Sequence, residues 1–349
     1  MATAEELSQF FEQLTGLVHT HSGQEPELAV RDEILAYGER FSSLIVSAYL
    51  NLTAGTVTLL DARSLIVSDA KFGEARPLVQ ESLNQLETNL YPLLVAGSMI
   101  LTQGFCAATR DGRTTTLGRG GSDFSATWLA ARLNASRVEI LTDTNGVLSA
   151  DPAVVAEAHT LTRLSYSQAA ILARFGAKVL HPHCLAPPAA GGIPLWVCNS
   201  FGPEGPITRV GDEPALADHF SVSGLRDCNL VAYGMGAQPP GDLHDRALAV
   251  ERDEQGRIWF ALGPHGGESD PHGSDCFSCC GRPVALIYLL SPDSQDLVFD
   301  EDLEIIMHFK DYAHGGRILA VPREQRLQAI RALHDQLQSR CPVPAGVSA

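Results

Sequence analysis

The stretch that most constrains this chain is Thr114-Thr115-Thr116-Leu117-Gly118-Arg119-Gly120-Gly121-Ser122-Asp123. Three β-branched residues and a leucine predict a buried strand end. The glycines that follow let the backbone turn tightly and leave its N–H groups uncovered. Ser122 or Asp123 is placed to cap a helix over residues 124–133, where Ala126, Leu129, Ala130 and Leu133 fall on one face. A strand, a glycine loop and a helix N-terminus direct free N–H groups and the helix dipole at one point, which suits an anion. Arg119 adds a planar fork matched to a carboxylate or phosphate. The loop is neither Gly-Lys-Ser/Thr nor Gly-x-Gly-x-x-Gly. Taken alone, it is equally well an ordinary strand-to-helix turn.

The flanking sequence supplies a frame. Residues 4–16 and 26–50 predict helices, the second carrying Tyr37-Gly38-Glu39, with Gly38 read as a place where a backbone or ligand approaches closely. Residues 56–61 predict a strand, 64–69 an extended run, 78–91 a helix, and 93–96 with 99–105 a strand running into Gly104 and Phe105. Residues 138–141 predict another strand, followed by Thr142-Asp143-Thr144-Asn145-Gly146-Val147. Ser165-Tyr166-Ser167-Gln168 is a capping box opening a helix that ends at Gly176. Lys178 follows directly, and residues 193–199 predict a strand. Strands alternating with helices indicate α/β with a largely parallel sheet, where ligands sit beyond the carboxyl ends of strands. Phe105, Arg119, Ser122, Thr142 and Asp143 all fall there.

Beyond a break at 202–206 and a linker at 211–214 the character changes. The stretch from Phe220 ends in a strand-like run at 229–233, residues 284–290 and 316–321 predict strands, 247–262 a hairpin turning at Gln255-Gly256, and 300–307 and 323–339 helices. Residues 264–281 predict a flexible loop containing Cys276, Cys279 and Cys280. These cysteines lack a second Cys-x-x-Cys pair, so free thiols are favoured over a zinc site and no metal ligands are assigned.

Net charge is −16, which argues against nucleic-acid or anionic-membrane partners while leaving room for a small anion in a local basic pocket. No run reaches ~18 apolar residues, so no membrane span is expected. The sequence starts without the basic and apolar segments of a signal peptide, and Cys106, Cys184, Cys198 and Cys228 lie in apolar context. Both point to reduced thiols and a cytoplasmic protein.

Five blocks, in order and spacing, resemble aspartokinase, most closely the lysine-sensitive monofunctional kind. They are Tyr37-Gly38-Glu39, residues 100–105, residues 112–123, residues 140–147 with Ala150-Asp151-Pro152, and residues 175–182. The resemblance implies an amino-acid kinase fold, a three-layer αβα sandwich over residues 1–210, then a degenerate ACT-like α+β region over 211–349. It implies transfer of the γ-phosphoryl of MgATP to the β-carboxylate of L-aspartate, the first step of lysine, threonine and methionine biosynthesis. It also implies a homo-oligomer formed through the C-terminal region. Residue by residue, Glu39, Phe105, Arg119 and Ser122 match the aspartate-binding set and Asp123 the acidic residue organising the catalytic centre, with Arg119 beside it. Thr142, Asp143, Lys178 and Val179 match the nucleotide side, with ATP and Mg2+ as the implied cofactors.

The sequence also departs from the family. Aspartokinases open on a strand and a Lys-Phe-Gly-Gly-Thr-Ser block whose lysine neutralises the transferring phosphate, and no such block is present. The expectation is therefore a kinase domain without its first strand and phosphate loop. Lys71-Phe72-Gly73 leads into Glu74-Ala75-Arg76 and corresponds to another block. Leu148 and Ala153 stand where the family has an aromatic residue and an arginine. Two alternatives stay open: an impaired, amino-acid-binding or partner subunit, and a kinase of another small carboxylic amino acid.

Overall fold

A computed structural model describes residues 2–23, 25–176, 180–212, 220–233, 239, 243, 247–264, 276–278, 284–291, 297, 303–311 and 316–340. The chain divides into two compact units, Met1–Val138 with His183–Ile193, and Glu139–Pro182 with Pro194–Ala349.

In the first unit, α1 (Ala2–Thr20) lies against α2 (Leu28–Thr53). Phe10 meets Tyr37 and Phe41 edge-on, the Tyr37 hydroxyl donates to Gln13 Oε1 at 3.1 Å, and the Arg40 guanidinium covers the Phe10 and Tyr37 rings at 4.3 and 4.5 Å. Next come β1 (Val57–Leu60), β2 (Val67–Ser68), α3 (Val79–Asn89), α4 (Tyr91–Val95), β3 (Met99–Thr102), β4 (Cys106–Thr109), β5 (Thr114–Thr116) and α5 (Gly121–Leu133). β1 and β3 run parallel, while β4 pairs with β2 in parallel and with β5 antiparallel. Leu65, Ile66, Leu86, Leu90, Ala107 and Trp128 form the core beneath α3 and α5.

The second unit holds β6 (Val138–Thr142), β7 (Arg163–Ser165), α6 (Tyr166–Arg174), β8 (Leu195–Asn199) and β9 (Thr208–Gly211), the strands forming one sheet in the order β6-β8-β9-β7. Ser165 caps α6 in the expected reciprocal box with Gln168, and Gly176 stands at φ 94° just past its end. α7 (Pro182–Gly191), which follows α6 in the chain but belongs to the first unit from His183 on, accommodates Pro187 and Pro188.

A larger sheet follows, built from β10 (Ser221–Tyr233), β11 (Ala247–Arg252), β12 (Ile258–Leu262), β13 (Cys276–Ser278), β14 (Val284–Leu290), β15 (Met307–Asp311) and β16 (Gly316–Pro322). β14 is buried along its whole length between β10 and β16, which is why it is an unbroken apolar run. The last helix, α8 (Arg326–Arg340), covers this sheet through Ala329, Ile330, Leu333 and Leu337. Ala150, Val155 and Ala158 join the same core, so the stretch after β6 and the C-terminal sheet share one interior.

Several local expectations change. Tyr91–Val95 is helical rather than extended, with Pro92 in its first turn where its missing N–H costs nothing. Residues 303–306 are not helical. Part of the loop expected at 264–281 is strand β13, whereas Cys279 and Cys280 lie outside the described residues. Cys106, Cys184, Cys198 and Cys228 form no disulfide among the described residues, and burial pushes Cys106 and Cys228 up to about 12, which leaves them inert.

Candidate functional site

The helix that follows the glycine loop begins earlier than its apolar pattern implies. α5 starts at Gly121, and its N-cap is Gly120 in the left-handed region at φ 72°. No side chain caps it, so neither Ser122 nor Asp123 takes that part. The Gly121 N–H bonds back to Gly118 O and the Phe124 N–H to Gly120 O. Among the described residues the N–H groups of Ser122 and Asp123 have no acceptor, which leaves the helix entrance open to an anion.

Phe105 closes one side. Its φ of 66° is rare for a bulky residue, and it is held there from several directions. Its N–H bonds to Ser125 Oγ at 2.8 Å, its carbonyl accepts from Leu117 N–H at 2.9 Å, and Ser125 Oγ donates to Gly121 O at 2.6 Å. The fit requires two glycines. A Cβ on Gly121 would lie 2.7 Å from the Phe105 ring, and one on Gly104 would lie 2.9 Å from Ser122 Cα.

Two adjoining cavities of about 450 and 350 Å³ share Phe105, Gly118 and Arg119. The smaller is lined by Glu39, Gly120, Gly121, Ser122 and Asp123 as well, so one unit brings together the whole expected acceptor set. Burial raises the Glu39 and Asp123 carboxyls above their ordinary range. Neither carboxylate, nor the exposed Arg119 guanidinium, has an ion-pair partner among the described residues. Two uncompensated acids and one cation around a small hollow suit a zwitterion: the cation and helix entrance take a carboxylate, and Glu39 takes an ammonium.

Gly38 is not a place of close approach, since a Cβ there would meet nothing within 4 Å. Asp32 had no sequence signal, yet it is buried and organises the larger cavity's floor. Its Oδ2 accepts from the N–H groups of Gly73 and Thr116 and its Oδ1 from Thr116 Oγ1, all at 2.8 Å.

The residues expected on the nucleotide side belong to the other unit. Thr142 ends β6 and its hydroxyl donates to Asp143 Oδ1 at 3.2 Å. Ser200 fixes the Thr142 carbonyl through both its N–H and its hydroxyl, and Asn199 Nδ2 donates to Asn145 Oδ1 at 2.8 Å. Lys178 and Val179 lie outside the described residues.

The sequence profile of the amino acid kinase family matches residues 2–199. The chain belongs to the amino acid kinase family. Its resemblance to aspartokinases holds against known members. It is 36% identical over 222 residues to the lysine-sensitive aspartokinase 3 of Escherichia coli K12, covering 64% of this chain and 49% of that protein. It is 38% identical over 174 residues to the aspartokinase of Chlamydia pneumoniae, covering 49% of this chain and 38% of that protein. The chain thus spans about half, or less, of the length of these curated relatives. The same fold is seen in E. coli aspartokinase III in complex with aspartate and ADP in the R state, with a TM-score of 0.79 and 26% identity over 96% of this chain and 81% of that one. The T-state complex of that enzyme with lysine and aspartate gives 0.72 and 26% identity over 98% and 82%. This kinase-family chain therefore has the α/β fold anticipated from its five blocks. None of its described helices is long and apolar enough to cross a membrane.

Proposed function

We propose that this chain is an aspartate kinase, moving the γ-phosphoryl of ATP to the β-carboxylate of L-aspartate. A carboxylate oxygen of aspartate attacks the γ-phosphorus, the bond to the β,γ-bridging oxygen breaks, and ADP leaves with that electron pair. The products are ADP and an acyl phosphate. The single observation that carries this reading is the pocket of the first unit, where unpaired Glu39 and Arg119 flank the open entrance of α5 against Phe105. Glu39 holds the substrate ammonium, Arg119 and the Ser122 N–H hold its carboxylates, and Asp123 orients the reacting group. Relatives and solved structures named for aspartokinase, one of them bound to aspartate and ADP, support the same acceptor.

We assign Thr142, Asp143, Lys178 and Val179 to the ATP side. Among the described residues no group of three His, Cys, Asp or Glu side chains converges on a metal position. Mg2+ would arrive on the triphosphate, where an ion of this kind needs only one or two protein carboxylates. Phosphoryl transfer asks the protein mainly for positioning and charge neutralisation, which this donor set supplies. Residues 1–210 are assigned as the kinase domain and 211–349 as an ACT-like region through which copies associate, in the cytoplasm. Leu148 and Ala153, at positions where the family carries an aromatic residue and an arginine, favour a second reading, an aspartate-binding partner subunit of low turnover.

The test is aspartyl hydroxamate formation by the purified chain with MgATP, alongside aspartate calorimetry. Arg119→Ala should weaken aspartate binding by about 10²-fold or more, the size of truncating one member of a ligand charge pair. Unchanged aspartate affinity in that variant overturns the acceptor assignment. Aspartate binding without turnover selects the partner-subunit reading.

A further inference from the structure

The strongest feature outside the kinase-family pocket is a group of arginines in the second unit. The pairing of β10 with β14 slips register between Leu225 and Cys228, and Asp227 in that bulge stands at φ 59°. The bulge turns Arg226 and Asp227 out to solvent, beside the turn Arg323–Gln325 and the first residue of α8. Arg226, Arg323, Glu324, Arg326 and Leu327 line one cavity of about 280 Å³.

The charges there do not cancel. Arg323 is engaged by Asp227, Nε to Oδ1 at 2.9 Å. Arg326 donates from Nη1 to Gly224 O at 3.0 Å, while its Nε is buried with no acceptor. Arg226 has no ion pair or hydrogen bond from its guanidinium among the described residues, and it repels Arg326 closely enough to help burial lower that residue's affinity for its proton. Glu324 and the nearby Asp151 offset part of the charge. The first turn of α8 carries no acidic residue, so its dipole adds to the positive field. A chain with net charge −16 thus holds two under-compensated guanidiniums at one concave spot. An oxyanion entering the cavity meets Arg226 and Arg326 as lining residues, and hydrogen bonds from a guanidinium to an oxyanion are among the stronger ones.

We propose that this cavity binds the oxyanion group of a small metabolite, a phosphate or carboxylate, held between Arg226 and Arg326. It is built from none of the residues assigned to aspartate or ATP. Gly224, whose carbonyl Arg326 holds, also abuts Gly176, so the site packs against the turn after α6.

The experiment measures melting temperature and binding heat for the full chain with sodium phosphate, sodium succinate and sodium chloride at matched ionic strength. Phosphate or succinate should give a saturable rise of a few degrees at about 100 times its Kd, where chloride gives none. Saturation by phosphate alone assigns a phosphoryl group, and by succinate alone a carboxylate. Arg226→Glu should weaken that binding at least tenfold and also raise the anion-free melting temperature, because it replaces a repelling neighbour of Arg326 with an attracting one. Arg226 is exposed and unpaired, so this variant should fold. Arg326→Gln should likewise abolish saturation. Succinate can also meet Arg119, so the salts are compared in Arg119→Ala too, where a response that persists and is lost on adding Arg226→Glu belongs to this site, and a response lost in Arg119→Ala itself overturns the proposal. Equal responses to all three salts, or an unchanged Kd in Arg226→Glu, overturn the proposal.

Discussion

Asp32 offers the sharpest check on how the pocket of the first unit is held. It is buried, and its carboxylate ties α2 to two other segments through three hydrogen bonds of 2.8 Å. Asp32→Ala removes all three. The Thr116 N–H is then orphaned in the interior, at about 1–3 kcal/mol, whereas Gly73 is half-buried and its N–H finds water. Adding the lost charge-assisted bonds puts the total at about 2–4 kcal/mol. Asp32→Asn behaves differently. Its amide oxygen can take both backbone N–H groups and its NH2 can donate to Thr116 Oγ1, which accepts as readily as it donates. Only the charge assistance is lost, at about 1–2 kcal/mol.

The measurement is urea unfolding followed by tryptophan fluorescence. The chain has three tryptophans, and Trp128 alone lies in the first unit, at 3% exposure in its core. A Trp196→Phe/Trp259→Phe background therefore reports that unit separately, which matters because two units need not unfold as one. The expected order is wild type, then Asp32→Asn, then Asp32→Ala, with unchanged slope against urea. Thr116→Val should be far less additive with Asp32→Ala than a distant substitution is. An Asp32→Ala midpoint indistinguishable from wild type, or an Asn variant less stable than the Ala variant, would refute the reasoning.

Burial raises the Glu39 carboxyl, so between its ordinary and its raised value the folded chain binds more protons than the unfolded one, and stability falls as pH rises through that window. Glu39→Gln should therefore stabilise the ligand-free chain at neutral pH, with the gain vanishing in acid, and calorimetric melts across pH check this. Gly104→Ala drives a Cβ to 2.9 Å from the backbone at Ser122, so it should lower stability by about 1–3 kcal/mol and weaken aspartate binding, whereas Gly38→Ala, with open space around it, should stabilise α2 by about 0.5–1 kcal/mol in the same urea titration.

What the sequence disclosed follows from how local each cause is. The threonine strand with its glycine loop, the Ser165–Gln168 box and the hairpin at Gln255-Gly256 are decided by residues within a few positions of one another, and each forms as expected. β4, with its Cys-Ala-Ala-Thr sequence, has no alternation to mark it, because it is buried along its length between β2 and β5. The two prolines within α7 argue against a helix locally, yet Cys184 and Leu185 bury one face of it. Asp32 reads as one more helix carboxylate until Gly73 and Thr116, which lie 41 and 84 residues away, supply its partners. Phe105, Arg119, Ser122 and Asp123 are legible from the glycine loop and the strand ends, whereas Glu39 joins them only through the resemblance, since nothing in its spacing links it to the others.

The pocket has a division of labour that bears on acceptor specificity. Its frame is made of backbone. Phe105 is kept at a strained φ by a hydrogen bond on each of its own peptide groups, and such strain, about 1–3 kcal/mol, survives only when the surroundings over-determine it. Gly104 and Gly121 remove the side chains that would push strand end and helix start apart. By contrast, Glu39, Arg119 and Asp123 commit no charge to the fold. Groups that hold the architecture are thus separate from groups left to meet a ligand. If the pocket takes aspartate as proposed, a frame of this kind would admit any small amino acid with a second carboxylate, and the choice among them would fall to how far Arg119 and the open N–H groups of α5 stand from Glu39. Selectivity should therefore respond most to substitutions at Arg119 and Glu39, whereas substitutions at Gly104 and Asp32 should act mainly through stability.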